Sequence, residues 1–363
     1  MPEETSSEPQ LSIEPQWSRA FIGHADVEAA LAKSITKGRV PQALLFAGPP
    51  GIGKATLAYR FARALLNGSD SSSGGVFDND VPADKLRLVD PQSNCFRLVA
   101  NKAHPDLFIV EREVSSTTKR LRPEILVEQI RKAGSFLHLT PSLSERRVVI
   151  VDGADRLNRN AANALLKSLE EPSANTTVIL IASVLGRVLQ TLRSRCIIKT
   201  FKSLGAIETS QIISGLKDEG RLDLNFEIGE HSSLLSSAGQ LVRLHESNSS
   251  ATFALWQKTL AALPRVTWPE VHATASDVAK LGREQTWSLL TEAHLDWIGQ
   301  SAKSLAADPS PPHYLLGTEL DQWLWLWEKT RNLFNDAERL NIDKNQTWVT
   351  AWFQLESVLN NQG

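Results

Sequence analysis

A glycine-rich segment, Gly48-Pro49-Pro50-Gly51-Ile52-Gly53-Lys54, follows a short apolar run and opens a stretch with helical periodicity. Glycines at this spacing let backbone N–H groups curl around a phosphate chain, while a helix N-terminus and Lys54 add positive charge. The next position of such a motif normally holds a Ser or Thr hydroxyl that ligates Mg²⁺, but this chain has Ala55. Thr56 points about 100° further around the helix. We therefore predict a phosphate-binding loop with a weakened magnesium site.

A second set of polar residues follows another apolar run, Val148–Val151. Asp152 ends this run and could help to hold Mg²⁺. An ATPase of this type usually has Glu at the next position to polarise the attacking water, whereas this chain has Gly153. Asp155 could replace that acid or could cap a helix near Asn158. Two parts of a hydrolytic site are therefore missing, and we expect weak or no hydrolysis of ATP by this chain.

Five short apolar runs alternate with helical stretches and predict the fold class. Runs of this kind indicate buried parallel strands, and strands that alternate with helices indicate an α/β sheet with helices on both faces. The runs are 43–47, 106–110, 147–151, 177–181 and 196–198, and the clearest helices are 55–66 and 160–169.

The rest of the chain differs in composition from this α/β region. Residues 68–91 are rich in Ser, Gly and Asp and predict a flexible insertion. After residue 204 the strand signal ends, and helices are expected at 206–216 and 239–246 and throughout the C-terminal part. Nine of the ten tryptophans lie between Trp256 and Trp352. They indicate a helical core or, alternatively, a subunit interface.

The overall composition limits the classes of function. The chain has 363 residues, 42% of them hydrophobic and 22% charged, with a net charge of −2. This balance argues against a protein that coats DNA unaided, because binding to the nucleic-acid backbone needs concentrated Lys and Arg. Cys95 and Cys196 lack CxxC spacing and signal neither a disulfide framework nor a zinc site. With no signal-peptide pattern and no long apolar stretch, we expect a cytoplasmic protein without a membrane role.

Several motifs together resemble one family. They are Ser194-Arg195-Cys196, His104-Pro105-Asp106, the strand 41–46 with the phosphate loop after it, and the segment 160–172. This combination resembles the delta-prime family of bacterial clamp-loader subunits of DNA polymerase III, densely over residues 18–204 and sparsely from Trp327 to Trp352. The resemblance implies an AAA+ P-loop domain at 18–204, after a disordered tail at 1–17. A small helical lid at 205–260 and an all-α collar domain at 261–363 would follow.

The resemblance also implies roles for single residues. Arg195 would be an arginine finger that acts on ATP bound by a neighbouring subunit, although a structural salt bridge is the alternative. Ser183 would take the sensor-1 position, where it could bind a phosphate or a water, or its hydroxyl could be satisfied by the backbone. Gly239 or Gln240 stands where active relatives carry a sensor-2 arginine, and Arg243 lies one helical turn later. No zinc is expected, because only Cys95 lies where many relatives have a four-cysteine module.

Three functional hypotheses follow from these motifs. The first is a stationary clamp-loader subunit in a hetero-oligomer with tau or gamma and delta subunits, which acts through the complex on a sliding clamp and primer-template DNA. The second is an autonomous AAA+ motor on DNA, such as a helicase or Holliday-junction motor, which would need the groups missing at 55 and 153. A small-molecule kinase fits the helical C-terminal half poorly. Five basic residues around the third run could face DNA or form a solvated surface: Arg146, Arg147, Arg156, Arg159 and Lys167.

Overall fold

The computed structural model describes residues 13–67, 85–86, 89–115, 122, 124–222, 237–247, 249–308 and 310–360. The chain divides into two compact units. The first contains the described residues up to Leu222 together with Ser237–Gly239, and the second contains the described residues from Gln240 onward. The predicted boundaries at 204/205 and 260/261 stay predictions.

The first unit is built around a five-stranded parallel sheet. Its strands are β1 (Ala43–Ala47), β2 (Leu107–Val110), β3 (Arg147–Asp152), β4 (Thr176–Ala182) and β5 (Ile197–Thr200). Their order across the sheet is β2-β3-β4-β1-β5, and every paired strand is parallel to its neighbour. All five predicted strands are present, and the predicted α/β fold class is confirmed.

Helices cover both faces of this sheet. The helices described in the first unit are α1 (Ala25–Thr36), α2 (Lys54–Leu66), α3 (Asn94–Ala100), α4 (Val127–Leu137), α5 (Arg159–Glu170), α6 (Gln190–Arg193) and α7 (Ala206–Asp218). Successive residues of a strand point to opposite faces, so Leu44 packs in a core with Phe61 of α2, whereas Leu45 packs in a second core with Leu165 of α5. Residues 148–151 of β3 and 178–182 of β4 are apolar and buried because both faces of the sheet are covered.

Strand β5 departs from the prediction of a buried strand. Ile197 is 51% exposed and Ile198 is 39% exposed. The reason is topological, because β5 pairs with β1 alone and forms one edge of the sheet. Among the described residues, these apolar side chains are therefore only partly covered.

The N-terminal tail and the insertion lie largely outside the described residues. Of the predicted tail, residues 1–12 are not described, but Pro15–Trp17 form a 3-10 turn in which Gln16 is buried. Arg63 donates hydrogen bonds to the carbonyl oxygens of Gln16 and Ser18 at 2.7 and 2.8 Å. The folded part thus begins a few residues before 18. Within the predicted insertion 68–91, only 85–86 and 89–91 are described.

The described part of the second unit is helical, as predicted. Helix α8 (Ala238–Glu246) starts in the first unit and is followed by α9 (Ser250–Ala261), α10 (Trp268–Val278), α11 (Glu284–Ala307), α12 (Leu320–Leu340) and α13 (Lys344–Asn360). Four tryptophans are fully buried: Trp256, Trp323, Trp348 and Trp352. They confirm the expectation of a helical core, whereas Trp325 is exposed. None of the described helices is both long and apolar enough to cross a bilayer.

Candidate functional site

The register of the sheet gathers three predicted site segments at one edge. Ala47 at the end of β1 pairs with Ala182 at the end of β4, and Ile181 pairs with Asp152 at the end of β3. Neighbouring strands lie about 4.8 Å apart. The phosphate loop, Ser183 and Asp152 therefore leave three adjacent strands at the carboxyl edge of the sheet, which is where ligands bind in open α/β folds.

The loop has the backbone shape that a phosphate cradle requires. Gly51 and Gly53 have φ values of 75° and 96°, a region that side chains disfavour. Gly48 is required for another reason, since a Cβ atom there would collide with the carbonyl oxygen of Phe201. Helix α2 begins at Lys54, so the N–H groups of its first turn and its dipole face the loop. This backbone fits a chain of phosphates.

Lys54 is bound by its own loop. The side chain is buried, and its Nζ donates hydrogen bonds to the carbonyl oxygens of Gly48, at 2.6 Å, and Pro49. Charged hydrogen bonds of this kind are among the stronger ones. A phosphate would have to compete with these two carbonyl groups for the ammonium.

The magnesium and water-activating positions remain incomplete in three dimensions. Asp152 is accessible to solvent at the strand end, yet the surrounding protein desolvates it and raises its pKa, while Lys54 acts in the opposite direction. Ala55 and Thr56 follow in the first turn of α2, and both are half-buried. The usual glutamate is absent at Gly153. The φ of this residue is 106°, so the backbone of a glutamate placed there would be strained. The role of Thr56 stays a prediction.

Asp155 makes a structural contact that the sequence did not predict, and its possible role as the missing acid stays a prediction. Its Oδ2 accepts a hydrogen bond from the backbone N–H of Val184 at 3.1 Å. Helix α5 is instead capped by Asn158, whose side chain accepts the N–H of Ala161 at 2.9 Å. Asp155 thus holds the segment that follows β4. Ser183 is exposed in this segment, and its binding role stays a prediction.

Arg195 is exposed and paired within its own chain. Its Nη2 lies 2.6 Å from Oε1 of Glu170, and its Nη1 donates to the carbonyl oxygen of Thr191 at 3.0 Å. The side chains of Arg195 and Glu170 are 37% and 48% exposed. The salt bridge weighed as an alternative therefore exists, but exposed pairs contribute only about 0–1 kcal/mol. Such a pair can be broken or shared at small cost.

Arg195 lies near the amino ends of the strands, which we call the amino edge of the sheet. The phosphate loop lies at the carboxyl ends, the carboxyl edge. Ile197, the first residue of β5, pairs with Leu44 near the start of β1, whereas the loop follows the other end of β1. From Leu44 to Gly48 the strand rises about 13 Å, and Arg195 precedes Ile197 on the far side. This separation exceeds the reach of an arginine side chain.

The segment predicted to correspond to the sensor-2 position contains a glycine next to the phosphate loop. The N–H of Gly239 donates to the carbonyl oxygen of Gly51 at 3.0 Å, and any Cβ on Gly239 would crowd the backbone of Gly51. No arginine could occupy this position without displacing the loop. In the second unit, Arg243 binds Glu292 at 2.6 Å, and Gln240 donates to Asp296 at 3.3 Å.

One residue of the predicted basic surface is wrongly assigned. Arg147 is buried, stacks on the Phe136 ring at 4.4 Å and pairs with buried Asp106 at 3.5 Å. It cannot face DNA, because its side chain is buried at the start of β3. Arg159 and Lys167 are exposed, and their role stays a prediction.

Asp106 belongs to the motif His104-Pro105-Asp106, to which the sequence analysis assigned no function. Its carboxylate accepts backbone N–H bonds from the loop Ser142–Ser144 at 2.7–2.9 Å. Desolvation alone would raise the pKa of Asp106, but these bonds and Arg147 lower it overall. The ring of His104 accepts the N–H of Asp106. The motif is a structural anchor at the amino end of β2.

Sequence reasoning missed the neighbours of Arg195. Glu170 lies in the quoted segment 160–172 but carried no assigned role, and no periodicity reveals its pairing. The exposure of Ile197 and Ile198 depends on the order of strands in the sheet. Among the described residues, no cluster of three or more His, Cys, Asp or Glu side chains could hold a metal.

Comparisons with known proteins agree on one family. The family model described as "DNA polymerase III, delta subunit" matches residues 23–205. DNA polymerase III subunit delta' of Pseudomonas aeruginosa is 37% identical over 43% of this chain and 41% of its own length. The protein of the same name from Bacillus subtilis is 33% identical over 48% of this chain and 46% of its length. DNA polymerase III subunit gamma of Buchnera aphidicola is 28% identical over 56% of this chain and 49% of its length. The matches thus span less than half of each relative.

Proposed function

Because the chain belongs to the DNA polymerase III delta subunit family, we propose that it is a clamp-loader subunit of the replicative polymerase. In this role it is a stationary member of a hetero-oligomer. It supplies Arg195 to the triphosphate held by a neighbouring ATPase subunit and hydrolyses little or no ATP itself.

The opposite placement of Arg195 and the phosphate loop is the observation that carries this proposal. An arginine about 13 Å or more from its own loop along the strand direction cannot contact a nucleotide bound there. Its guanidinium can hold two phosphate oxygens at once. Arginine fingers stabilise the charge that develops in phosphoryl transfer. We therefore propose that Arg195 contacts a nucleotide bound by another chain.

The surface next to Arg195 supports a protein neighbour. Ile197 and Ile198 are exposed on edge strand β5, two and three residues after the arginine. Apolar side chains at a sheet edge are liable to unwanted pairing unless something covers them. A charged finger flanked by apolar residues fits the usual composition of interfaces, where Arg is enriched.

The chain's own phosphate loop fits binding better than turnover. Its backbone can hold phosphates, so ATP could bind there, and Asp152 could contribute to a weak magnesium site. The missing hydroxyl at Ala55, the missing acid at Gly153 and the engaged ammonium of Lys54 all oppose hydrolysis. We assign no zinc to the chain.

The proposed partners follow from the names of the relatives. Gamma, tau and delta subunits are the protein neighbours that we expect, and the assembly would meet the sliding clamp and primer-template DNA. Such an assembly would work in the cytoplasm. The chain is similar to both delta' and gamma proteins. This similarity supports an assembly in which related subunits form one ring.

The test is ATP turnover by the assembled complex. In an assembly where only the ATPase site that borders this chain is active, Arg195→Ala should lower turnover by about 10³-fold. Arg195→Lys is the matched variant, which keeps the charge but loses the fork and should fall in between. Size-exclusion chromatography checks that both variants assemble. Full turnover by an assembled Arg195→Ala complex would refute the finger role.

An autonomous motor gives a different result in a simpler experiment. Robust phosphate release by the purified chain alone, lost on Lys54→Ala, would favour that motor. The missing acid at Gly153 and the missing hydroxyl at Ala55 oppose it.

A further inference from the structure

The two contacts of Arg195 have different chemical characters. Thr191 contributes a backbone carbonyl oxygen from α6, whereas Glu170 contributes a full negative charge from the last turn of α5. A carboxylate at a helix C-terminus faces the negative end of the helix dipole. Glu170 is therefore in an unfavourable place unless a cation compensates it, and Arg195 is that cation.

The pairing leaves much of the guanidinium available. Arginine has five N–H donors, and the contacts with Glu170 and Thr191 engage one terminal nitrogen each. These contacts therefore leave three N–H groups of the guanidinium unused. A phosphate oxygen from outside the chain can bind them without displacing Glu170.

The local backbone turns Arg195 towards Glu170 and Thr191. The N–H of Arg195 donates to the carbonyl oxygen of Leu192 at 3.1 Å. The hydroxyl of Ser194 donates to the carbonyl oxygen of Thr191 at 3.0 Å. Thr191 thus accepts from both Ser194 and Arg195. The turn fixes the start of the arginine side chain, and Glu170 fixes its charged end.

We propose that Glu170 is a positioning residue, which holds the Arg195 guanidinium at the surface in the orientation that a neighbour's triphosphate meets. This inference rests on the proposed function. Without Glu170 the long side chain would sample many rotamers, and each encounter with the phosphate would have to fix it again. Preorganised charge is the feature that makes such groups effective in phosphoryl transfer.

The experiment measures kcat and KM for ATP in the assembled complex with only the bordering ATPase site active. Glu170→Gln should lower kcat roughly two- to fivefold, the range that an exposed ion pair permits, with KM unchanged. Glu171→Gln is the matched control, because it removes the same charge from the adjacent exposed residue. It should behave as the unsubstituted chain. Glu170→Asp should recover part of the loss.

A second background separates positioning from a general structural effect. In an Arg195→Ala chain, Glu170→Gln should cause no further fall, because its target is gone. An equal fall in both backgrounds, or an unchanged or increased kcat for Glu170→Gln alone, would overturn the positioning role. If instead Arg195→Ala leaves turnover unchanged, the finger role itself fails. If Arg195→Ala is slow while Glu170→Gln matches the unsubstituted complex, only the role of Glu170 fails.

Discussion

The residues predicted to bind nucleotide and the proposed arginine finger lie at opposite edges of one parallel sheet. The carboxyl edge holds the phosphate loop, Asp152 and Ser183, but Ala55 and Gly153 replace the groups that bind metal and activate water. The amino edge holds Arg195. In the proposed function, this difference separates a phosphate loop without turnover from a charged group that serves a neighbouring subunit.

The amino edge itself contains two ion pairs of opposite character. Asp106 and Arg147 are buried, with side chains 0% and 4% exposed, whereas Glu170 and Arg195 are both exposed. A buried pair is costly to break, and an exposed pair is not. The first therefore fixes the scaffold, while the second leaves a cation available at the surface.

The largest stability effect is expected at the buried pair. Asp106→Asn should lower the free energy of unfolding by about 3–5 kcal/mol, because Arg147 would stay buried without its counter-charge. Urea unfolding of the whole chain, with a probe that reports on the first unit, measures this free energy. Glu145→Gln is a control in the adjacent loop, and its effect should stay within about 0.5 kcal/mol. Equal effects of the two changes would remove the distinction between the two ion pairs.

The same carboxylate predicts a pH dependence. The pKa of Asp106 is lower in the folded chain than the ordinary value of an aspartate. The stability that it contributes is therefore complete above about pH 4 and is lost as the pH falls through the lowered pKa. Acid unfolding of the unsubstituted chain should be steeper than that of Asp106→Asn. Acid-unfolding curves of equal steepness for the two proteins would contradict the lowered pKa of Asp106.

A smaller effect is expected at the carboxyl edge. Gly153→Ala should destabilise the chain by about 1–2 kcal/mol, because φ at this position is 106°. An added Cβ would meet its nearest neighbouring atom at 3.5 Å, an ordinary contact distance, so backbone strain is the main cause. Gly153→Glu combined with Ala55→Ser should give the isolated chain no turnover. Recovery of turnover would mean that this edge lacks only two side chains.

The smallest effect is expected on β5. Ile197→Ser should weaken association with the ATPase neighbour by about fivefold, which corresponds to partial burial of one aliphatic side chain. The isolated chain should unfold as before, because this side chain is exposed. Sedimentation or titration of the assembly measures the affinity. A loss of stability with unchanged affinity would show that β5 is covered within its own chain.

Much of the first unit could be predicted because its signals are local. Five apolar runs bounded by polar residues marked the strands, and the glycine spacing marked the loop that follows β1. The C-terminal helices and their tryptophan core were also accessible, since helical periodicity and aromatic content are properties of short segments.

The remaining features depend on contacts between distant residues. No local pattern reveals that β5 is an edge strand, that Arg147 is buried against Phe136, or that Asp155 binds Val184. The pairing of Glu170 with Arg195 joins the end of one helix to the turn after another, 25 positions later in the sequence. Sheet order and register decide all of these, and both arise only when the chain folds.

One comparison tests the division between the two edges most directly. Lys54→Met and Arg195→Ala are placed separately in this chain, and ATP turnover is measured in an assembly where only the bordering ATPase site is active. We expect unchanged turnover with Lys54→Met and a fall of about 10³-fold with Arg195→Ala. The reverse pattern, with Lys54 required and Arg195 dispensable, would contradict the division.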